Sequence, residues 1–76
     1  MVKEAKSELK SLGDSIRAQR KKLGISQEDF AELCDLHRTY IGQVERGEKN
    51  ISFSNVLRVA KAFKSKPSAL LAKAGL

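Results

Sequence analysis

Residues 26–47 read SQEDFAELCDLHRTYIGQVERG. The spacing predicts two short helices joined by a tight turn. Ser26 and Asp29 stand three apart as a capping box, with Asp in place of the usual Glu. Glu28 and Asp29 then fall in a first helical turn, where negative charge suits the helix dipole. Phe30, Ala31 and Cys34 form an apolar stripe on one face. The pattern breaks at Asp35-Leu36. A second helix can start near His37 and run to Arg46, with Ile41 and Val44 on its inner face. Gly47 follows as a stop, because glycine enters the left-handed conformation that closes many helices. So short a connection makes the two helices cross steeply, and Ala31 is the small residue placed for their contact.

The outward face of the second helix is expected to be Arg38, Thr39, Gly42 and Gln43, flanked by His37 and Tyr40. Arg pairs bidentately with guanine, Gln does so with adenine, and the Thr methyl touches thymine. Arg38, Thr39 and Gln43 share one side of the helix near its amino end. They are the candidate base-reading residues, and Gly42 would let that side approach closely.

Upstream, Ser11 and Asp14 read as another capping box, opening a first helix from about Leu12 to Leu23. Leu12, Ile16 and Leu23 would face inward, and Arg17, Arg20, Lys21 and Lys22 would stay on or near the surface. Gly24 ends it. Residues 1–10 form an amino-terminal extension that either frays or lengthens this helix with Leu9 on its face. Residues 11–76 form the domain proper. Downstream, Ser52 would cap a fourth helix, with Ile51 and Val56 as a hydrophobic staple and Val56, Leu57, Ala60 and Phe63 inward. Lys64-Ser65-Lys66 is a break. Pro67 suits the first position of a fifth helix, which runs to about Ala74 before Gly75. No stretch alternates with period two, so no sheet is expected and the fold class is all-α.

Seventy-six residues make one domain with a small core. The net charge is +6, yet Glu28, Asp29, Glu32 and Asp35 make the first motif helix acidic. The basic excess lies toward the two ends of the chain, and it suits the sequence-independent part of DNA affinity. A lone Cys and a lone His exclude an internal disulfide and a zinc cluster, so no metal or cofactor is expected. Cys34 reads as a small buried hydrophobe. Cys34 and His37 lie three apart, but nucleophilic catalysis needs a pocket and an oxyanion site that so small a domain does not supply. There is no glycine-rich phosphate loop, no long apolar run and no signal-peptide core, which predicts a cytoplasmic protein without enzymatic activity.

The segment resembles the helix-turn-helix of the phage repressor and Cro class, the Xre-type regulators. Gln27, Ala31, Leu36, Ile41, Val44, Glu45 and Gly47 carry the resemblance, with the string RTYIGQVERGEKNIS from Arg38 to Ser52. That string is also similar to the small controller proteins of restriction–modification systems. The resemblance covers roughly residues 11–74 and implies a compact five-helix, lambda-repressor-like bundle around a central helix-turn-helix. It implies base contacts from Arg38, Thr39 and Gln43. It implies phosphate contacts from Ser26, Gln27, Tyr40, Arg46, Lys49, Asn50 and Arg20, and an internal ion pair between Arg20 and Glu45. Two positions depart from the family pattern: Asp35 stands where the turn usually has Gly, and His37 where Ser or Thr usually caps the recognition helix.

The function implied is a sequence-specific transcriptional regulator acting as a homodimer on a palindromic double-stranded DNA operator. Phe53, Val59, Leu70, Leu71 and Leu76 exceed what so small a core needs and are the expected dimer interface. A phage-type repressor or an autoregulating antitoxin, whose main partner is a toxin, is the alternative. No small-molecule ligand is evident.

Overall fold

The computed structural model describes residues 5–76. Five helices follow in order: α1 Lys6–Lys22, α2 Gln27–Cys34, α3 Arg38–Glu45, α4 Phe53–Ala62 and α5 Pro67–Lys73. There is no strand among the described residues. The architecture is the all-α, five-helix bundle expected of lambda-repressor-like DNA-binding proteins.

Three of the helix starts follow from local chemistry. Ser26 Oγ accepts the Asp29 N–H at 3.0 Å, and Ser52 Oγ accepts the Asn55 N–H at 3.2 Å. Each hydroxyl satisfies one of the donors that a helix leaves free at its first turn. Pro67 sits at the start of α5, where its missing N–H costs nothing.

The start of α1 differs from the expectation. It begins at Lys6, not near Leu12, and Ser11 caps nothing. Lys10 and Asp14 pair instead at i and i+4 along the continuous helix, so Asp14 stabilises α1 from within its body. Residues 6–10 thus lengthen α1, with Leu9 half-buried. Of the amino-terminal extension, residues 1–4 lie outside the described residues.

The core gathers the inner faces of all five helices. Phe30, Ile16, Ile41, Leu70 and Val59 are its largest fully buried side chains. Phe30 of α2 stacks on Phe63, which follows α4, with ring centroids 4.7 Å apart. Two inner faces differ from those expected. On α4 the buried set is Val56, Val59 and Ala60, with Phe63 packed against it, while Leu57 is exposed. That set follows the i, i+3, i+4, i+7 rule of a helical stripe, which Leu57 does not fit. On α1 the sequence Leu12, Ile16, Arg20 runs inward at intervals of four, and Leu23, at the cap, stays 55% exposed. Half-buried Ile25 packs against the core nearby.

Glycine lets α1 and α3 meet backbone to backbone. Gly13 of α1 lies so near the end of α3 that a Cβ there would stand 2.3 Å from the Val44 carbonyl oxygen. The two backbones meet with no side chain between them.

Candidate nucleic-acid interface

Helix α3 is held from behind and open in front. Ile41 and Val44 are buried in the core, while Arg38 and Thr39 are exposed and Gln43 half-exposed. Three donors and acceptors suited to base edges therefore lie on the solvent side near the amino end of one short helix. Gly42 is buried rather than outward, correcting its expected place. A Cβ on it would meet Arg46 Nη1 at 3.2 Å and Gln27 Oε1 at 3.5 Å. Its bareness makes room for those two side chains.

The turn that presents α3 uses two residues unusual for their places. Asp35 adopts φ +56°, the left-handed region that glycine favours. Its N–H donates to the Glu32 carbonyl and that of Leu36 to the Ala31 carbonyl, closing α2. Arg58 of α4 donates to both the carbonyl and the carboxylate of Asp35, at 3.1 and 3.2 Å. His37 caps α3: its Nδ1 accepts the Thr39 N–H at 3.1 Å. The imidazole thus does the work that a Ser or Thr hydroxyl does elsewhere.

Beneath the interface lies a buried ion pair. Arg20 Nε donates to Glu45 Oε2 at 2.7 Å and Nη2 to Oε1 at 3.0 Å. Arg20 is 7% exposed and Glu45 3%. Hydrogen bonding to Glu45 raises the Arg20 pKa above its ordinary value against the opposing effect of burial. Nη1 donates to the Ile25 carbonyl at 2.9 Å. All three guanidinium nitrogens are thus used inside the protein, which corrects the expectation that Arg20 stays on or near the surface. Gln27 Nε2 is the third donor to the Glu45 carboxylate, reaching Oε1 at 2.9 Å. The pair therefore ties α1, the start of α2 and the end of α3 together.

The other expected phosphate contacts divide. Ser26 is exposed beside the free N–H groups that open α2. Lys49 and Asn50 are exposed in the loop after α3. Tyr40 is half-buried, and its hydroxyl accepts from Asn55 Nδ2 at 3.1 Å. Arg46 is engaged at two points by Glu48, a partner that local sequence pattern does not reveal. Arg38 is held more loosely, by one bond of 3.2 Å to Glu28.

The expected dimer residues also divide. Val59 and Leu70 are completely buried within one chain, so they complete its core and form no interface. Phe53 is 72% exposed, Leu76 is exposed and Leu71 half-buried. Leu57, read as inward, joins Phe53 on the open side of α4 at i and i+4.

Cys34 and His37 form no reactive pair. Cys34 is buried and His37 exposed, its Nδ1 engaged in the cap. Burial pushes the Cys34 thiol up to about 12 from an ordinary value of 9.0. Below pH about 9 the thiol is neutral in both folded and unfolded chains. Above it the unfolded chain ionises first, so stability should fall as pH rises toward about 12. Denaturant titrations of the protein and of Cys34→Val check this: the variant's alkaline decline should be shallower. Equal slopes would locate the loss elsewhere.

No described helix is long and apolar enough to cross a membrane. No group of His, Cys, Asp and Glu among the described residues could hold a metal ion.

The helix-turn-helix family model matches residues 16–70. The control protein C.SmaI of Serratia marcescens is 43% identical over 65 residues, covering 86% of this chain and 77% of that protein. The solved structure of the restriction–modification controller protein C.AhdI from Aeromonas hydrophila has a TM-score of 0.81 and 41% identity, covering 84% of this chain and 97% of that one. The c2 repressor of Salmonella phage P22, solved in complex with a synthetic operator, has a TM-score of 0.72 and 36% identity, covering 78% of this chain and 89% of that one.

Proposed function

The chain belongs to the helix-turn-helix family, and on that premise we propose that it is a controller protein of a restriction–modification locus, regulating transcription by binding a palindromic operator. The observation that carries the reading is the open side of α3. Arg38, Thr39 and Gln43 stand there together, backed by buried Ile41 and Val44, beside the capped amino end of α2. In this reading Arg38 leaves Glu28 for a guanine edge, Thr39 and Gln43 read neighbouring bases, and Ser26, Lys49 and Asn50 meet phosphates. Similarity to controller proteins supports that subtype, and similarity to a repressor solved on its operator supports DNA as the partner.

Selection of bound duplexes from a random pool tests it. The expected product is a palindrome with half-sites about one helical turn apart. Arg38→Ala should weaken the selected site by about 1–3 kcal/mol and relax base preference at one position. Lys49→Ala should weaken all sequences alike and lower the salt slope by about one. Specific binding untouched by Arg38→Ala would place the reading face elsewhere.

The homodimer rests on the apolar surface of α4 and α5. Phe53, Leu57 and Leu76 are exposed together with half-buried Leu71, whose burial against a second copy would gain about 25 cal/mol per Å². Two copies would set their α3 helices about 34 Å apart. Sedimentation should show a dimer that Phe53→Lys abolishes. A monomer at high micromolar concentration, with and without DNA, would remove the homodimer from the proposal.

A further inference from the structure

Arg46 and Glu48 flank Gly47 at the end of α3. Arg46 Nε donates to Glu48 Oε2 at 2.8 Å and Nη2 to Oε1 at 3.1 Å. The backbone beneath the pair is fixed. The Glu48 N–H donates to the Gln43 carbonyl at 2.8 Å and the Gly47 N–H to the Val44 carbonyl at 3.0 Å, a Schellman closure. Gly47, at φ +74°, lies against the backbone of α1, where a Cβ would stand 2.8 Å from Lys10 Cα. Glu48 is therefore carried on a stiff turn. The pair also borders the candidate interface, since exposed Arg46 follows Gln43 by three residues and Thr39 by seven, on the same side of α3. Hydrogen bonding within the pair holds the Glu48 carboxyl below its usual range and the Arg46 pKa above its own, so both stay charged.

We propose that Glu48 is a positioning residue that keeps Arg46 in an internal ion pair on the DNA side, so that this pair brings no net cation to the phosphates. The inference rests on the DNA-binding reading above. An Arg that stays on its carboxylate releases no counterion from DNA, whereas each phosphate neutralised steepens the salt dependence by about 0.9 in log–log slope. Exposed ion pairs are individually weak, because two long side chains must be ordered to form them. Here the turn has already fixed one end, and two-point geometry fixes the guanidinium plane. A phosphate approaching Arg46 meets the charge of Glu48 as well. Glu48 thereby lowers the protein's affinity for DNA of any sequence and leaves Lys49 as the cation of this turn.

The test is binding as a function of salt for the whole protein, Glu48→Gln, Arg46→Gln and the double variant, on the selected duplex and a random one. Glu48→Gln should bind both duplexes about 3- to 10-fold more tightly near 0.1 M salt, with a slope steeper by about one. Arg46→Gln should bind both more weakly. The double variant should return to within about twofold of the parent, with the parent's slope. A double variant that is weaker on both duplexes and shallower by about one overturns the proposal, because Arg46 then leaves Glu48 for phosphate. A parent that binds no duplex overturns the regulator reading and this inference together. A parent that binds, with the shallower double variant, overturns this inference alone. The pair is exposed, so all three variants should keep the parent's circular dichroism and melting curve.

Discussion

Arg20→Ala should cost about 3–5 kcal/mol of stability, the loss typical of breaking a buried ion pair from one side. A small domain has on the order of 5 kcal/mol in total, so the variant should be largely unfolded at room temperature. The reason lies in what remains. Glu45 is 3% exposed and would keep one donor, Gln27, while the Ile25 carbonyl would lose its guanidinium partner. The penalty is that of an orphaned charge and not the net worth of the pair. Replacing both partners together, as in Arg20→Met with Glu45→Leu, should therefore recover much of the loss. Urea titrations followed by circular dichroism would check both variants. An Arg20→Ala protein within about 1 kcal/mol of the parent would mean that water reaches Glu45 and the pair is not the tie between α1 and α3 described above.

Gly13→Ala should be nearly as damaging, against the usual sign of such a change. In an ordinary helix interior Ala is better than Gly by about 1 kcal/mol. Here the new methyl would stand 2.3 Å from the Val44 carbonyl oxygen and 2.6 Å from that of Glu45. Both are backbone atoms and cannot rotate aside, so α1 and α3 must separate. Separation would also stretch the Arg20–Glu45 bonds that span the same two helices. The expected loss is about 3 kcal/mol, the upper range for overpacking. Ser11→Ala, at an exposed position of the same helix, serves as the control and should change stability by no more than about 0.5 kcal/mol. Thermal melts decide it: a Gly13→Ala protein at least as stable as the parent would show that α1 and α3 do not meet backbone to backbone at Gly13.

The helix-turn-helix is legible in the chain because its signals are local. Ser26, Ser52 and Pro67 mark starts by their own chemistry, and the stripes of α2 and α3 lie within single turns. The early start of α1 is hidden because Ser11 and Asp14 imitate a cap inside a helix that does not begin there. Gly13 is missed because a glycine among good helix formers reads as a minor defect. Its use depends on α3, thirty residues away in sequence. Separation in sequence, here 18 residues, also hides the bond from Gln27 to Glu45. Leu57 and Val59 are both apolar, and only the angular position of each on α4 decides which turns inward. Of the candidate DNA contacts, Arg38, Thr39 and Gln43 follow from one helix face. The fates of Arg20 and Arg46 depend on carboxylates that residue type alone does not assign to them.

The cap that opens α3 has a chemical corollary. His37 Nδ1 can accept the Thr39 N–H only with its lone pair free, so the neutral ring carries its proton on Nε2. One tautomer is thereby selected, with its N–H on the far nitrogen of an exposed ring. A serine or threonine hydroxyl at this place would offer no imidazole N–H, and nitrogen chemical shifts of the ring would report the tautomer directly.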